Sequence, residues 1–179
     1  IPGSFAYVRQ QEPAGLGHAV WCARHLVGNE PVAVILADDL IKGSSTIKEM
    51  ISNYSSGNML AIMDVNNQDV SSYGIISPGK TLENNMTEIL GLIEKPSIDK
   101  APSNMAVVGR YIIEPSVFKE LEKQNRGTSN EIQLTDAIAN RIGKSHCYGY
   151  KFTNDRFDCG SKLGFIQANI KLSIERDDL

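Results

Sequence analysis

Val32-Ala33-Val34-Ile35-Leu36-Ala37-Asp38-Asp39 runs six apolar residues directly into two adjacent carboxylates. A continuous apolar run of that length reads as a strand buried on both faces of a parallel sheet. Asp38 and Asp39 mark its carboxyl end. Upstream, Leu16, Ala19, Val20, Ala23 and Val27 recur at the spacing of one buried helix face. Gly28-Asn29-Glu30-Pro31 breaks that pattern. Downstream, a helix over about residues 46–54 leads into a second apolar strand, residues 59–63, which ends at Asp64. Strand, helix and strand at this spacing make a βαβ unit with a right-handed crossover.

The remainder extends the alternation. Strands are expected around residues 73–76, 89–93 and 105–113, and a helix from Pro115, a residue suited to a first turn. Asn130 and Gln133 have capping-box spacing ahead of Leu134, Ile138 and Ile142. Residues 147–152 read as a last strand. The chain closes on a helix with Leu163, Ile166, Ile170 and Ile174 on one stripe. The class is α/β with a mixed sheet, and with no internal repeat or linker, residues 1–179 are expected to form one domain.

Composition narrows the function. The 179 residues are 41% hydrophobic and 22% charged, with 18 basic against 21 acidic side chains, a formal net charge of −3. That balance excludes a disordered chain, and a pI of about 5.6 gives no basic field for nucleic acid. No apolar run approaches the ~20 residues a membrane helix needs, and Ile1-Pro2-Gly3-Ser4-Phe5 has no signal-peptide pattern. Neither a membrane nor a nucleic-acid partner is expected. Cys22, Cys147 and Cys159 are widely spaced and odd in number, as free thiols in a reducing cytoplasm would be.

Four places carry candidate chemistry. Ligands of open α/β sheets bind beyond the carboxyl ends of the strands, where Asp38 and Asp39 offer hard oxygen ligands for Mg²⁺. A turn or helix cap is the plainer use of the same residues. The segment Gln10-Gln11-Glu12-Pro13-Ala14-Gly15-Leu16-Gly17-His18 is a glycine-containing turn opening a helix, where backbone can approach a flat ring or an anion. Glu94-Lys95-Pro96 ends an apolar strand. Pro96 pushes Lys95 toward extended backbone, so the two side chains should splay apart. A carboxylate there can accept sugar hydroxyls and a Lys can meet a phosphate. Asp158, before the last helix, is either its N-cap or a second metal ligand beside Asp38. The three histidines share no metal-ligand spacing, and no Gly-x-Ser-x-Gly elbow is present.

Seven motifs occur in order: Val8-Arg9-Gln10, Gly15-Leu16-Gly17-His18-Ala19-Val20, Leu36-Ala37-Asp38-Asp39-Leu40-Ile41, Tyr73-Gly74-Ile75, Gly91-Leu92-Ile93-Glu94-Lys95-Pro96, Val108-Gly109-Arg110-Tyr111-Ile112 and Arg156-Phe157-Asp158-Cys159-Gly160. Together they resemble the bacterial UTP–glucose-1-phosphate uridylyltransferases, or UDP-glucose pyrophosphorylases, over essentially the whole chain. Asn130-Glu131-Ile132-Gln133-Leu134-Thr135-Asp136 resembles the wider sugar nucleotidyltransferases.

The resemblance implies a Rossmann-like mixed sheet of the nucleotide-diphospho-sugar transferase type, with UTP, glucose 1-phosphate and UDP-glucose as partners, Mg²⁺ as cofactor and a cytoplasmic homo-oligomer. It implies that Gln10 and Gly15 meet the uracil, and that Asp38 and Asp158 hold Mg²⁺. Gly74, Glu94 and Gly109 would lie against the hexose, and Lys95 would neutralise the sugar phosphate. Asp39 and His18 match flanking positions without an implied role. Ala37 stands where relatives often carry Pro. The Gly-x-Gly-Thr-Arg loop with which the family begins is not among these residues, so the sheet is expected to be incomplete at its N-terminus, with an apolar edge or face exposed. Two rivals remain: a UDP-sugar glycosyltransferase, and a non-catalytic module that binds a UDP-sugar or serves assembly.

Overall fold

The computed structural model describes residues 5–176. In chain order the strands are β1 (Val32–Ile35), β2 (Asp39–Ile41), β3 (Asn58–Asp64), β4 (Gly74–Thr81), β5 (Met86–Glu94), β6 (Met105–Ile113), β7 (Cys147–Lys151) and β8 (Arg156–Asp158). The helices are α1 (Leu16–Cys22), α2 (Arg24–Val27), α3 (Thr46–Asn53), α4 (Pro115–Leu121), α5 (Leu134–Ala139) and α6 (Lys162–Ile174). Six strands make one mixed sheet in the order β1-β6-β3-β7-β5-β4, and β2 and β8 form a separate antiparallel ribbon. In the large sheet only β3 and β7 pair in parallel. Since β1 and β3 each run antiparallel to β6, they are parallel to one another, with β6 between them. Strand β4 also meets β6 at Ile75 opposite Ala106, so β6, β3, β7, β5 and β4 close into a ring.

Strands β3 and β6 are buried on both faces. Leu60 and Ile62 pack with Val117 and Leu121 of α4 and Leu134 and Ile138 of α5. Met59 and Ala61 point the other way, into a cluster with Met50 of α3, Val108, Ile112, Tyr150 and Phe152. Each large aliphatic side chain withdrawn from water in these clusters contributes about 1.5–3 kcal/mol. Cys22, Cys147 and Cys159 are unbridged. Burial pushes the Cys147 thiol up to about 12, with Glu114 adding to the shift, which keeps it inert. Among the described residues no helix is long and apolar enough to cross a membrane.

Three local expectations are corrected. Strand β1 is an edge strand with an antiparallel partner, and it buries one face: Val32, Val34 and Leu36 pack on the core while Ala33 and Ile35 are exposed. An unbroken apolar run does not by itself report whether the second face is covered. The capping box at Asn130 does not form. Asn130 takes a left-handed φ of 60°, and Gln133 is the N-cap of α5 with no side-chain cap bond. The α6 stripe faces outward, with Leu163, Ile166, Ile170 and Ile174 all exposed, and the helix docks through Gly164 and Ala168. A Cβ on Gly164 would stand 2.0 Å from the Asp158 carbonyl oxygen. Small residues, rather than the apolar stripe, therefore choose the face that lies against β8.

Candidate active site

A cavity of about 350 Å³ opens where the segment after β1, the β2–β8 ribbon, the start of β4, the end of β5 and the middle of β6 meet. Asp38, Gly74, Glu94, Lys95, Gly109 and Asp158 all line it. Gln10 and Gly15 do not, although Leu16, next to Gly15, does.

The acidic side is built by the ribbon. Asp39 pairs in register with Asp158, and the Cys159 N–H donates to the Asp38 carbonyl at 2.7 Å. Asp158 is not the cap of α6; Ser161 is, accepting from the Gly164 N–H at 3.0 Å. Asp158 is left facing the cavity. Asp38 Oδ2 and Asp158 Oδ1 lie 3.0 and 3.2 Å from the point where a Cβ on Gly160 would stand. Two carboxylates converging beside a glycine make a cradle for a hard divalent cation, which would complete its shell with water and phosphate oxygens. Among the described residues no group of three or more His, Cys, Asp or Glu side chains is arranged to hold a metal ion. Asp38 and Asp158 could hold a cation whose other ligands are water and phosphate oxygens of a bound ligand.

Asp39 behaves differently from its neighbour. It is buried, its Oδ2 accepts the Gly109 N–H at 2.5 Å, and its Oδ1 pairs with Arg156 Nε. A Cβ on Gly109 would stand 2.6 Å from Asp39 Oδ2, so this carboxylate is reason enough for glycine at 109. Burial opposes the charge of Arg156, but Asp39 and Tyr73 together hold its pKa above the usual value.

The opposite wall holds Glu94, paired in register with Gly74 across β4 and β5. The Thr135 hydroxyl donates to Glu94 Oε2 at 2.7 Å, and a Cβ on Gly74 would stand 3.0 Å from Thr135 Cγ2 and 3.1 Å from Glu94 Oε2. Glycine at 74 makes room for that bonded pair. Burial raises the Glu94 carboxyl above its ordinary value, against the opposing pull of Thr135 and Lys95. Lys95 has φ +47°, not the extended backbone expected before Pro96. Proline disfavours the right-handed helical region for the preceding residue, and the chain escapes here into the left-handed one. The Lys95 N–H is fixed to the Tyr73 carbonyl at 2.9 Å. As a result Glu94 and Lys95 do not splay apart; they line one cavity with Nζ 3.9 Å from Oε1. Backbone strain of this kind concentrates at functional sites.

Gly15 has φ +106° and begins α1, packed so tightly on the 131–132 segment that a Cβ would meet Glu131 Cβ at 2.8 Å. Gln10 is folded back onto this turn, its Nε2 donating to the Gly15 carbonyl at 3.1 Å and lying 3.0 Å from His18 Nδ1. Sequence reading passed over Thr135, Tyr73 and Arg156 as lining residues and left Asp39 without a role. Only their position inside the quoted motifs could have drawn attention to them.

The mixed sheet gathers Asp38, Asp158, the half-buried Glu94 and Lys95 around one cavity, as an α/β protein with a polar ligand site beyond its strand ends would. The family described as Nucleotidyl transferase matches residues 3–174, and the chain belongs to it. It is 40% identical over 96% of its length to the UTP–glucose-1-phosphate uridylyltransferase 1 of Staphylococcus saprophyticus, and 39% identical over 97% to the UTP–glucose-1-phosphate uridylyltransferase of Bacillus subtilis. It spans about 60% of the length of these curated relatives. The fold is similar to a UDP-glucose pyrophosphorylase solved in complex with UDP-glucose (TM-score 0.91, 43% identity, 96% of this chain and 67% of that one). It is also similar to a UTP-bound enzyme from Acinetobacter baumannii (TM-score 0.83, 38% identity, 96% and 61%).

Proposed function

We propose that this cavity serves uridylyl transfer from UTP to glucose 1-phosphate, giving UDP-glucose and pyrophosphate. The observation that carries the reading is the gathering of Asp38, Asp158, Glu94 and Lys95 around one cavity, in a chain about 40% identical to enzymes of that name. The lining holds five carboxylates (Asp38, Asp39, Glu94, Glu131 and Asp158) against the cations Lys95 and Arg156. A polyphosphate enters such a site only with added positive charge. Asp38 and Asp158 would hold Mg²⁺, which supplies charge neutralisation at the reacting phosphates when bound. Lys95 meets the phosphate of glucose 1-phosphate as a point charge. Glu94, oriented by Thr135, accepts hexose hydroxyls, and Gly74 and Gly109 line the sugar side of the cavity, their lack of a side chain leaving room for Glu94 with Thr135 and for Asp39. Gln10 and Gly15 contact the uracil edge from the turn beside the cavity. A phosphate oxygen of the sugar attacks the α-phosphorus of UTP in line and pyrophosphate departs. This chemistry asks for positioning and charge complementarity rather than a covalent nucleophile.

The test is calorimetric binding of UDP-glucose to the 179-residue chain, with ADP-glucose and UDP-galactose as competitors. UDP-glucose is expected to bind best, and equal binding of all three would count against the reading. The 179 residues contain no Gly-x-Gly-Thr-Arg loop for the β- and γ-phosphates. Losing one preorganised donor costs about 3–4 kcal/mol in comparable sites. The chain by itself should therefore release no pyrophosphate from UTP and glucose 1-phosphate, and should do so when a relative's Gly-rich segment is added in trans.

A further inference from the structure

We propose that Asp39 and Arg156 are positioning residues for the cation site, holding Asp38 and Asp158 together without touching the cation. The proposal rests on the reading of Asp38 and Asp158 given above.

Both candidate ligands sit on or beside the β2–β8 ribbon, which shares no strand ladder with the six-stranded sheet. The ribbon needs another anchor, and the Asp39 carboxylate is placed to be one. Its Oδ2 accepts the Gly109 N–H of β6 at 2.5 Å, while its Oδ1 pairs with Arg156 of β8. Arg156 Nη1 continues to the Tyr73 hydroxyl at 3.0 Å, just ahead of β4. Arg110 of β6 reinforces the same junction, donating to the Asp39 carbonyl at 2.6 Å and the Leu36 carbonyl at 3.1 Å. One buried carboxylate thereby ties β2, β6 and β8 together.

The pairing register adds an electrostatic requirement. Asp39 stands directly opposite Asp158, and like charges facing each other across an antiparallel pair repel. Arg156, two residues before Asp158 on the same strand face, cancels the Asp39 charge and leaves that of Asp158 for a cation. The Asp39 and Arg156 side chains are only 5% and 12% exposed, so removing either strands the other's charge in a poorly solvated place. Both Asp39 oxygens are engaged, Oδ2 by the Gly109 N–H and Oδ1 by Arg156.

The test uses Mn²⁺, which takes the same oxygen ligands and is followed by electron paramagnetic resonance on the 179-residue chain. Arg156→Met and Asp39→Asn should each weaken Mn²⁺ about 10–100-fold, the range for partners that orient metal ligands. Arg156→Lys should recover part of that loss. Bound water, counted by electron spin-echo modulation, separates positioning from ligation. Asp38→Asn and Asp158→Asn should gain a water on Mn²⁺, whereas Asp39→Asn should not. All titrations are run below the melting transition of the least stable variant. Wild-type affinity in Asp39→Asn and Arg156→Met, with Asp38→Asn weakened, would overturn the positioning role alone. An extra water in Asp39→Asn would make Asp39 a ligand and overturn it too. Wild-type affinity in Asp38→Asn, or no uptake by the unaltered chain, would overturn the cation reading and this proposal with it.

Discussion

Glu94 keeps its carboxylate in a wall that desolvates it, and this has a measurable cost. Because burial raises its pKa above the ordinary 4.5, the folded protein binds that proton more tightly than the unfolded chain. The stabilisation is complete below pH 4.5 and is lost as the pH rises through the raised folded value. In Glu94→Gln the amide cannot titrate, so urea midpoints compared between about pH 4 and about pH 7 should fall less with pH than in the unaltered protein. If the proposed uridylyl transfer holds, the same variant should relax discrimination among hexose phosphates in the assay with a relative's Gly-rich segment added in trans. Lys95→Ala should weaken glucose 1-phosphate far more than UTP, and a loss confined to UTP would contradict its assignment to the sugar phosphate. At this scale the sequence was informative about which residues cluster and poor about how. Asp38, Glu94, Lys95 and Asp158 were legible through their motifs. The left-handed backbone of Lys95 was not, because a proline says which region its predecessor avoids and leaves open which it adopts. The division of labour between Asp38 and Asp39 was equally invisible, since it depends on a β6 amide seventy residues away.

Some elements were read well, although the single helix face read from Leu16 to Val27 is broken at Ala23 into α1 and α2. Helix α3 and strands β3 and β6 fall where their patterns place them, and α4 starts on Pro115 as a first-turn proline should. The failures share a cause: β1, the start of α5 and the docking of α6 are each decided by a neighbour distant in sequence. Two glycines report such neighbours and can be tested. Gly109→Ala would drive a Cβ into Asp39 Oδ2, Asp39 Cβ and Leu36 Cβ, all within 2.8 Å. Overpacking of that kind costs about 1–3 kcal/mol, and the Arg156–Asp39 junction should loosen with it; a denaturant midpoint unchanged by Gly109→Ala would contradict the contact. Gly15→Ala meets both a positive φ and the Ile132 carbonyl at 2.9 Å. It should detach α1 from α5, seen as increased proteolysis around residues 10–20 before global unfolding.

For the molecule as a whole, the cavity is assembled from segments between residues 16 and 158, so no window of sequence contains it. Apolar surface is exposed on β1 at Ile35 and along α6 at Leu163, Ile166, Ile170 and Ile174. Contiguous apolar surface of this kind promotes association. Ile166→Gln with Ile170→Lys should raise solubility and reduce dye binding with little change in melting temperature; a large fall would mean that the stripe is packed. The ring of β6, β3, β7, β5 and β4 has one more consequence. A strand bonded on both sides can release its amide protons only when its neighbours release theirs, so these five should exchange with deuterium together and last. Strand β1 and the β2–β8 ribbon, each with a single neighbour, can let go alone. Asp38 and Asp158 ride on the early-exchanging part, while Glu94 closes a strand of the late one. In heavy water the cavity should keep two clocks, one wall turning over while the other is still protonated.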